Sequence, residues 1–79
     1  MVNVEKLTQI AKEYAEEYYT SGLIGVSTST GTAEVQLTRG AFLEAFDSWV
    51  ITNRDCTEYP FRWNNIVDGV IFFCISEDR

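Results

Sequence analysis

Pro60-Phe61-Arg62-Trp63-Asn64-Asn65-Ile66-Val67-Asp68-Gly69-Val70-Ile71-Phe72-Phe73-Cys74-Ile75-Ser76-Glu77-Asp78-Arg79 is the stretch that decides the fold of this chain. Asp68-Gly69 is a two-residue turn signal, because both central positions of a type I′ turn need positive φ. That turn fixes a hairpin register: Val67 opposite Val70, Asn65 opposite Phe72, Trp63 opposite Cys74 and Phe61 opposite Ser76. Period-two alternation then sorts the side chains. Phe61, Trp63, Asn65, Phe72 and Cys74 share one face; Arg62, Asn64, Ile66, Ile71, Phe73 and Ile75 share the other. The unbroken apolar run Phe72 to Ile75 predicts a central strand covered on both sides. Tyr59-Pro60 opens the hairpin, proline being confined to strand starts and edges for want of a ladder donor.

Working back from the hairpin, Trp49-Val50-Ile51-Thr52 has strand composition. Thr38 caps a short helix over 39–47 in which Phe42 and Phe46 share a face at i, i+4. Ala33, Val35 and Leu37 alternate with Glu34 and Gln36, which predicts a strand buried on one face. Its partner is Leu23-Ile24-Gly25-Val26, with Gly25 marking a candidate bulge and Ser27 to Thr32 as the link. Residues 4–19 predict a helix: Val4, Leu7, Ala11, Tyr14, Ala15 and Tyr18 recur at spacings of three and four, with Ile10 beside them. Asn3 is its N-cap, Glu5 suits its first turn and Gly22 stops it. The expectation is one α+β domain over residues 1–79. Its order is α-β-β-α-β-β-β, with the N-terminal helix packed across one face of an antiparallel sheet.

Seventy-nine residues lie near the lower limit for an independent core. Twelve acidic residues against six basic ones, with no histidine, give a net charge of −6. Direct nucleic-acid binding needs clustered Lys and Arg to displace counterions, and here Lys6, Lys12, Arg39, Arg54, Arg62 and Arg79 are scattered. An acidic surface favours basic protein partners, nucleic-acid-binding proteins among them; the plain alternative is that the charge serves solubility. No apolar run approaches the length of a membrane span, and the opening Met-Val-Asn-Val-Glu-Lys has no apolar leader, so cytoplasmic residence is expected. Cys56 and Cys74 are too few for a disulfide scaffold; whether they pair stays open.

Enzyme signals are nearly absent. Histidine, the commonest general base, is missing, no phosphate-binding glycine loop or CxxC pair occurs, and the acidic neighbours Asp55/Glu58 and Glu77/Asp78 fall in polar loops or the tail. A non-enzymatic protein without metal or cofactor is expected. Two features point to binding instead. Glu13, Glu16 and Glu17 cluster in the second half of the first helix, where like charges at i, i+4 repel and the helix dipole disfavours anions. Self-stabilisation does not account for them; recognition of a basic partner does, as does a merely solvated face. Eleven aromatic rings form the second feature. Tyr19 falls off the helix stripe, and Phe61 with Trp63 lies on one hairpin face, a composition suited to a partner surface or to a homodimer.

Glu58-Tyr59-Pro60-Phe61-Arg62-Trp63 and Val67-Asp68-Gly69-Val70-Ile71-Phe72-Phe73 together resemble the ending of small uncharacterised proteins encoded by phages and prophages of Gram-positive bacteria. The resemblance covers about a quarter of the chain. It implies a short acidic phage accessory protein in the host cytoplasm. Many of these bind and block a host protein, anti-CRISPR inhibitors among them. Glu13, Glu16 and Glu17 are the residues that would stand in for phosphates in such a role. The alternative is a phage structural or assembly protein that self-associates through its aromatic hairpin face.

Overall fold

The computed structural model describes residues 2–29 and 31–79, apart from the side chains of Tyr19, Thr20 and Ser29. Its elements run α1 (Val4–Thr20), β1 (Leu23–Ser29), β2 (Thr32–Leu37), α2 (Arg39–Ala45), β3 (Val50–Asn53), β4 (Phe61–Val67) and β5 (Val70–Ser76). This is the expected α+β order. The β4–β5 hairpin forms in the register that Asp68-Gly69 dictates, Val67 facing Val70 through to Phe61 facing Ser76. Both turn residues take positive φ, 50° at Asp68 and 78° at Gly69, as the right-handed strand twist demands of a two-residue loop. The polar link of the first hairpin is shorter than its composition suggests. Ser27, Thr28 and Ser29 belong to β1 and pair with Glu34, Ala33 and Thr32, while the expected irregularity lies between Leu23 and Gly25.

The strand order is β1-β2-β5-β4-β3, which makes β5 central as its apolar run required. One seam departs from the antiparallel expectation. β2 and β5 run parallel, with Glu34, Val35 and Gln36 opposite Ile71, Phe72 and Phe73, so the sheet is mixed. Parallel neighbours need a long crossover between them. Here α2, β3 and β4 supply it, and β5 inserts between β4 and β2.

The second correction concerns which helix covers the sheet. α2 and the segment after it lie over the face carrying Phe61, Trp63, Phe72 and Cys74. Phe42 and Cys74 are fully buried there, and Leu37, Phe46, Trp49 and Phe61 pack around them. The rings meet in tilted and edge-on pairs, Phe42 with Phe46 at 4.9 Å, Phe42 with Trp49 at 5.7 Å and Phe46 with Phe72 at 5.6 Å. Aromatic side chains bury about 150–250 Å² each, so three of them on a short segment cover a five-stranded sheet better than the Val, Leu, Ala and Tyr stripe of α1. α1 instead packs at the edge, against β1.

On the opposite face, Arg62 lies across the ring of Phe73, 3.7 Å from its centroid. Its guanidinium donates to Glu34 on β2, and its Nε donates to Asn64 Oδ1 at 2.6 Å. This bridge spans β2, β5 and β4 and shields an otherwise open ring. Gly22 joins the two helical segments. Its φ is 79°, its carbonyl accepts from Thr38 N at 2.8 Å, and a Cβ there would lie 2.7 Å from both Ala41 Cβ and Thr38 Oγ1. Thr38 Oγ1 in turn accepts from Ala41 N at 3.2 Å and caps α2.

Candidate functional surfaces

α1 starts as its sequence directs: Asn3 Oδ1 accepts from Lys6 N at 3.0 Å, and Glu5 sits in the first turn. The helix is tied to the sheet by Tyr14, whose hydroxyl donates to Ile24 O at 2.8 Å. Tyr14 is half-buried, whereas every residue from Val2 to Glu13 is exposed. Apart from Tyr14, much of the apolar stripe therefore faces solvent. Val4 is 70% exposed, Leu7 52%, Ile10 50% and Tyr18 50%.

Glu13, Glu16 and Glu17 are all exposed on this helix, as the solvated and the partner-binding readings both required. Glu13 and Glu17 nonetheless have local work. Glu13 accepts from Gln9 Nε2 at 3.0 Å, and Glu17 Oε2 accepts the Ser21 hydroxyl at 2.6 Å, beside the Ser21 N–H to Glu17 O bond that closes the helix. The expectation that self-stabilisation explains none of the cluster is thereby corrected. Both hydrogen bonds run between side chains one turn apart, a spacing legible in the sequence. The Tyr19 side chain lies outside the described residues.

The aromatic hairpin face is not a surface. Trp63 is 3% exposed. It stacks on Trp49 with centroids 4.8 Å apart and planes at 17°, and its indole N–H donates to Asp78 O at 3.1 Å. Arg39 covers its ring at 4.9 Å. Phe61 is half-buried beneath the Arg79 guanidinium, 5.2 Å from the ring centroid. Trp63 is thus a core residue and Phe61 borders the core, so neither is a free anchor. The signal that could have shown this is the pairing of Phe42 and Phe46 with Trp49 just downstream, a segment apolar enough to need that face.

The same contacts account for the arginines. Arg39 pairs with Asp78 at 3.7 Å, Arg54 Nη1 donates to Tyr59 O at 2.8 Å, Arg62 pairs with Glu34, and Arg79 lies over Phe61. Each guanidinium serves an internal contact, while Glu5, Glu13, Glu16, Glu44, Asp47, Asp55, Glu58 and Glu77 are exposed carboxylates. The outward charge is strongly negative.

Where β3 is too short to cover β4, an open groove of about 580 Å³ forms, lined by Trp49, Val50, Ile66, Ile71, Asn64 and Asn65 among others. The two amides are tied to the backbone before and within β3, Asn65 Nδ2 to Ser48 O at 2.9 Å and Asn64 Nδ2 to Val50 O at 3.1 Å. Its lining carries no ionisable side chain, so it offers a ligand apolar contact and hydrogen bonds but no general acid or base. Cys56 and Cys74 are both free thiols. Hydrogen bonds from the backbone of Tyr59 and Glu58 hold the Cys56 thiol below its ordinary value, whereas burial pushes the Cys74 thiol up. Among the described residues no three His, Cys, Asp or Glu side chains are placed to hold a metal ion, and no helix is long and apolar enough to cross a membrane. The chain matches no protein-family model, no curated protein and no solved structure.

Proposed function

We propose that this chain is a small non-enzymatic binding protein that acts by presenting carboxylates to a basic site on another protein. The observation that carries the reading is the sorting of charge. Four arginines are engaged by partners within the chain, while Glu13 and Glu16 project from a helix that is itself exposed. A surface of that kind steers and holds a partner rich in Lys and Arg, such as a protein whose own ligand is a nucleic acid. Inhibition of a host defence protein, in the manner of anti-CRISPR inhibitors, follows from the resemblance of residues 58–73 to phage proteins and rests on that resemblance alone.

Pulldown from bacterial lysate with the wild-type chain and with Glu13→Gln/Glu16→Gln tests the proposal. The partner should be basic, should bind the double variant several-fold less well, and should elute as salt rises to about 1 M, where the screening length falls to about 3 Å. A partner retained unchanged at that salt, or indifferent to both substitutions, would refute it.

A further inference from the structure

From the exposed stripe of α1 we infer a second surface, independent of the basic-partner reading: α1 pairs antiparallel with α1 of a second copy of this chain. From Val4 to Glu13 nothing of α1 is buried, yet its apolar residues keep to one stripe, Val4, Leu7, Ile10, Ala11 and Ala15. In proteins most helical stability comes from packing such a stripe. Among the described side chains of α1 Tyr14 is half-buried, beside β1, whereas Val4, Leu7, Ile10, Ala11 and Ala15 stay exposed.

The distribution of size and charge along the helix points to a second copy as that cover. Ala11 lies near the middle of α1 and lets two helix axes approach closely about a two-fold axis through it. Leu7 of each copy then falls opposite the small Ala15 of the other, and Val4 falls near Tyr18. The basic residues Lys6 and Lys12 precede the acidic Glu13, Glu16 and Glu17. A parallel pair would set the glutamates of one copy against those of the other. The antiparallel pair brings Lys6 alongside Glu17 of the second copy, twice by symmetry, because residues 6 and 17 lie on the same flank of the stripe. On the other flank the two Lys12 ammoniums approach, each with Glu16 of its own helix at i+4 to offset it. Glu13 and Glu16 stay outward, so the pair presents both acidic faces at once.

Sedimentation velocity of the full chain between about 1 and 200 μM at low salt should show a concentration-dependent monomer–dimer equilibrium. Leu7→Glu should weaken association about 100-fold or more, since the change is made twice in the interface. Its near-ultraviolet circular dichroism should be unchanged, because Leu7 is remote from the Trp49–Trp63 stack. Lys6→Glu and Glu17→Lys should each weaken the dimer about 2- to 10-fold, although each improves the match of its own helix to the dipole. The double variant should return to within about 2-fold of wild type. Positions 6 and 17 lie about 16 Å apart along one helix and cannot pair within a chain, so recovery reports contact between copies. A monomer at the highest concentration, a dimer indifferent to Leu7→Glu, or a double variant no stronger than the singles would each overturn the inference.

Discussion

Two glycines with almost the same backbone angle should respond very differently to alanine. Gly22 has φ 79° and Gly69 has φ 78°, and a left-handed conformation costs an L-residue about 1–2 kcal/mol. At Gly69 a Cβ meets nothing within 4 Å, so that cost is the whole effect. At Gly22 the Cβ would sit 2.7 Å from Ala41 Cβ and from Thr38 Oγ1. Relieving the overlap costs a further ~1–3 kcal/mol. Moving Thr38 also weakens the cap on α2, worth about 1 kcal/mol. Gly22→Ala therefore loses roughly 3–6 kcal/mol, as much as the entire net stability of about 3–5 kcal/mol expected of a core this small. The Trp49–Trp63 stack provides the signal for urea denaturation followed by tryptophan fluorescence. With a slope of about 1 kcal/mol per molar urea, Gly69→Ala should lower the midpoint by about 1–2 M. Gly22→Ala should begin largely unfolded before any urea is added. Equal midpoint shifts in the two variants would refute the close approach of α1's end to α2's start.

Arg62→Lys should destabilise by about 1–2 kcal/mol in the same assay, since an ammonium cannot bond Glu34 and Asn64 together while lying flat on Phe73, and solvent screening limits the loss; a change under about 0.3 kcal/mol would count against the bridge. A thiol reagent at neutral pH should label Cys56 in the folded protein and reach Cys74 only on unfolding. The labelling rate of Cys56 should reach half its maximum below the ordinary thiol value of about 8.5. Cys74 also makes stability depend on pH. Its folded thiol titrates above its unfolded one, so above about pH 8.5 the unfolded chain sheds a proton that the folded chain keeps, and stability falls as pH rises. Subtracting the curve of Cys74→Ala from that of the wild type should isolate this decline; a flat difference would show that Cys74 does not resist ionisation.

How far the chain could be read from its residues depends on the range of each interaction. The Asp68-Gly69 turn, the Asn3 and Thr38 caps, the helix stop at Gly22 and the alternation of β2 act within a few residues. They set the element order and the β4–β5 register with no knowledge of the rest, and the apolar run Phe72 to Ile75 marks β5 as the central strand. The candidate site was half legible on the same ground. The exposure of Glu13, Glu16 and Glu17 follows from helical periodicity, whereas the bonds of Glu13 to Gln9 and of Glu17 to Ser21 depend on side-chain rotamers that periodicity does not specify.

What tertiary structure alone decided is which surfaces meet. A hairpin with apolar side chains on both faces does not say which face will be covered, because that is a competition among distant segments. Phe42, Phe46 and Trp49 won it over α1, and so Trp63, which reads as an interface ring in isolation, became the floor of the core. The parallel seam of β2 with β5 was settled the same way, by a crossover whose helix α2 packs against both strands. The outcome left α1 at the edge with much of its apolar stripe exposed, a consequence of global packing that no local pattern encodes.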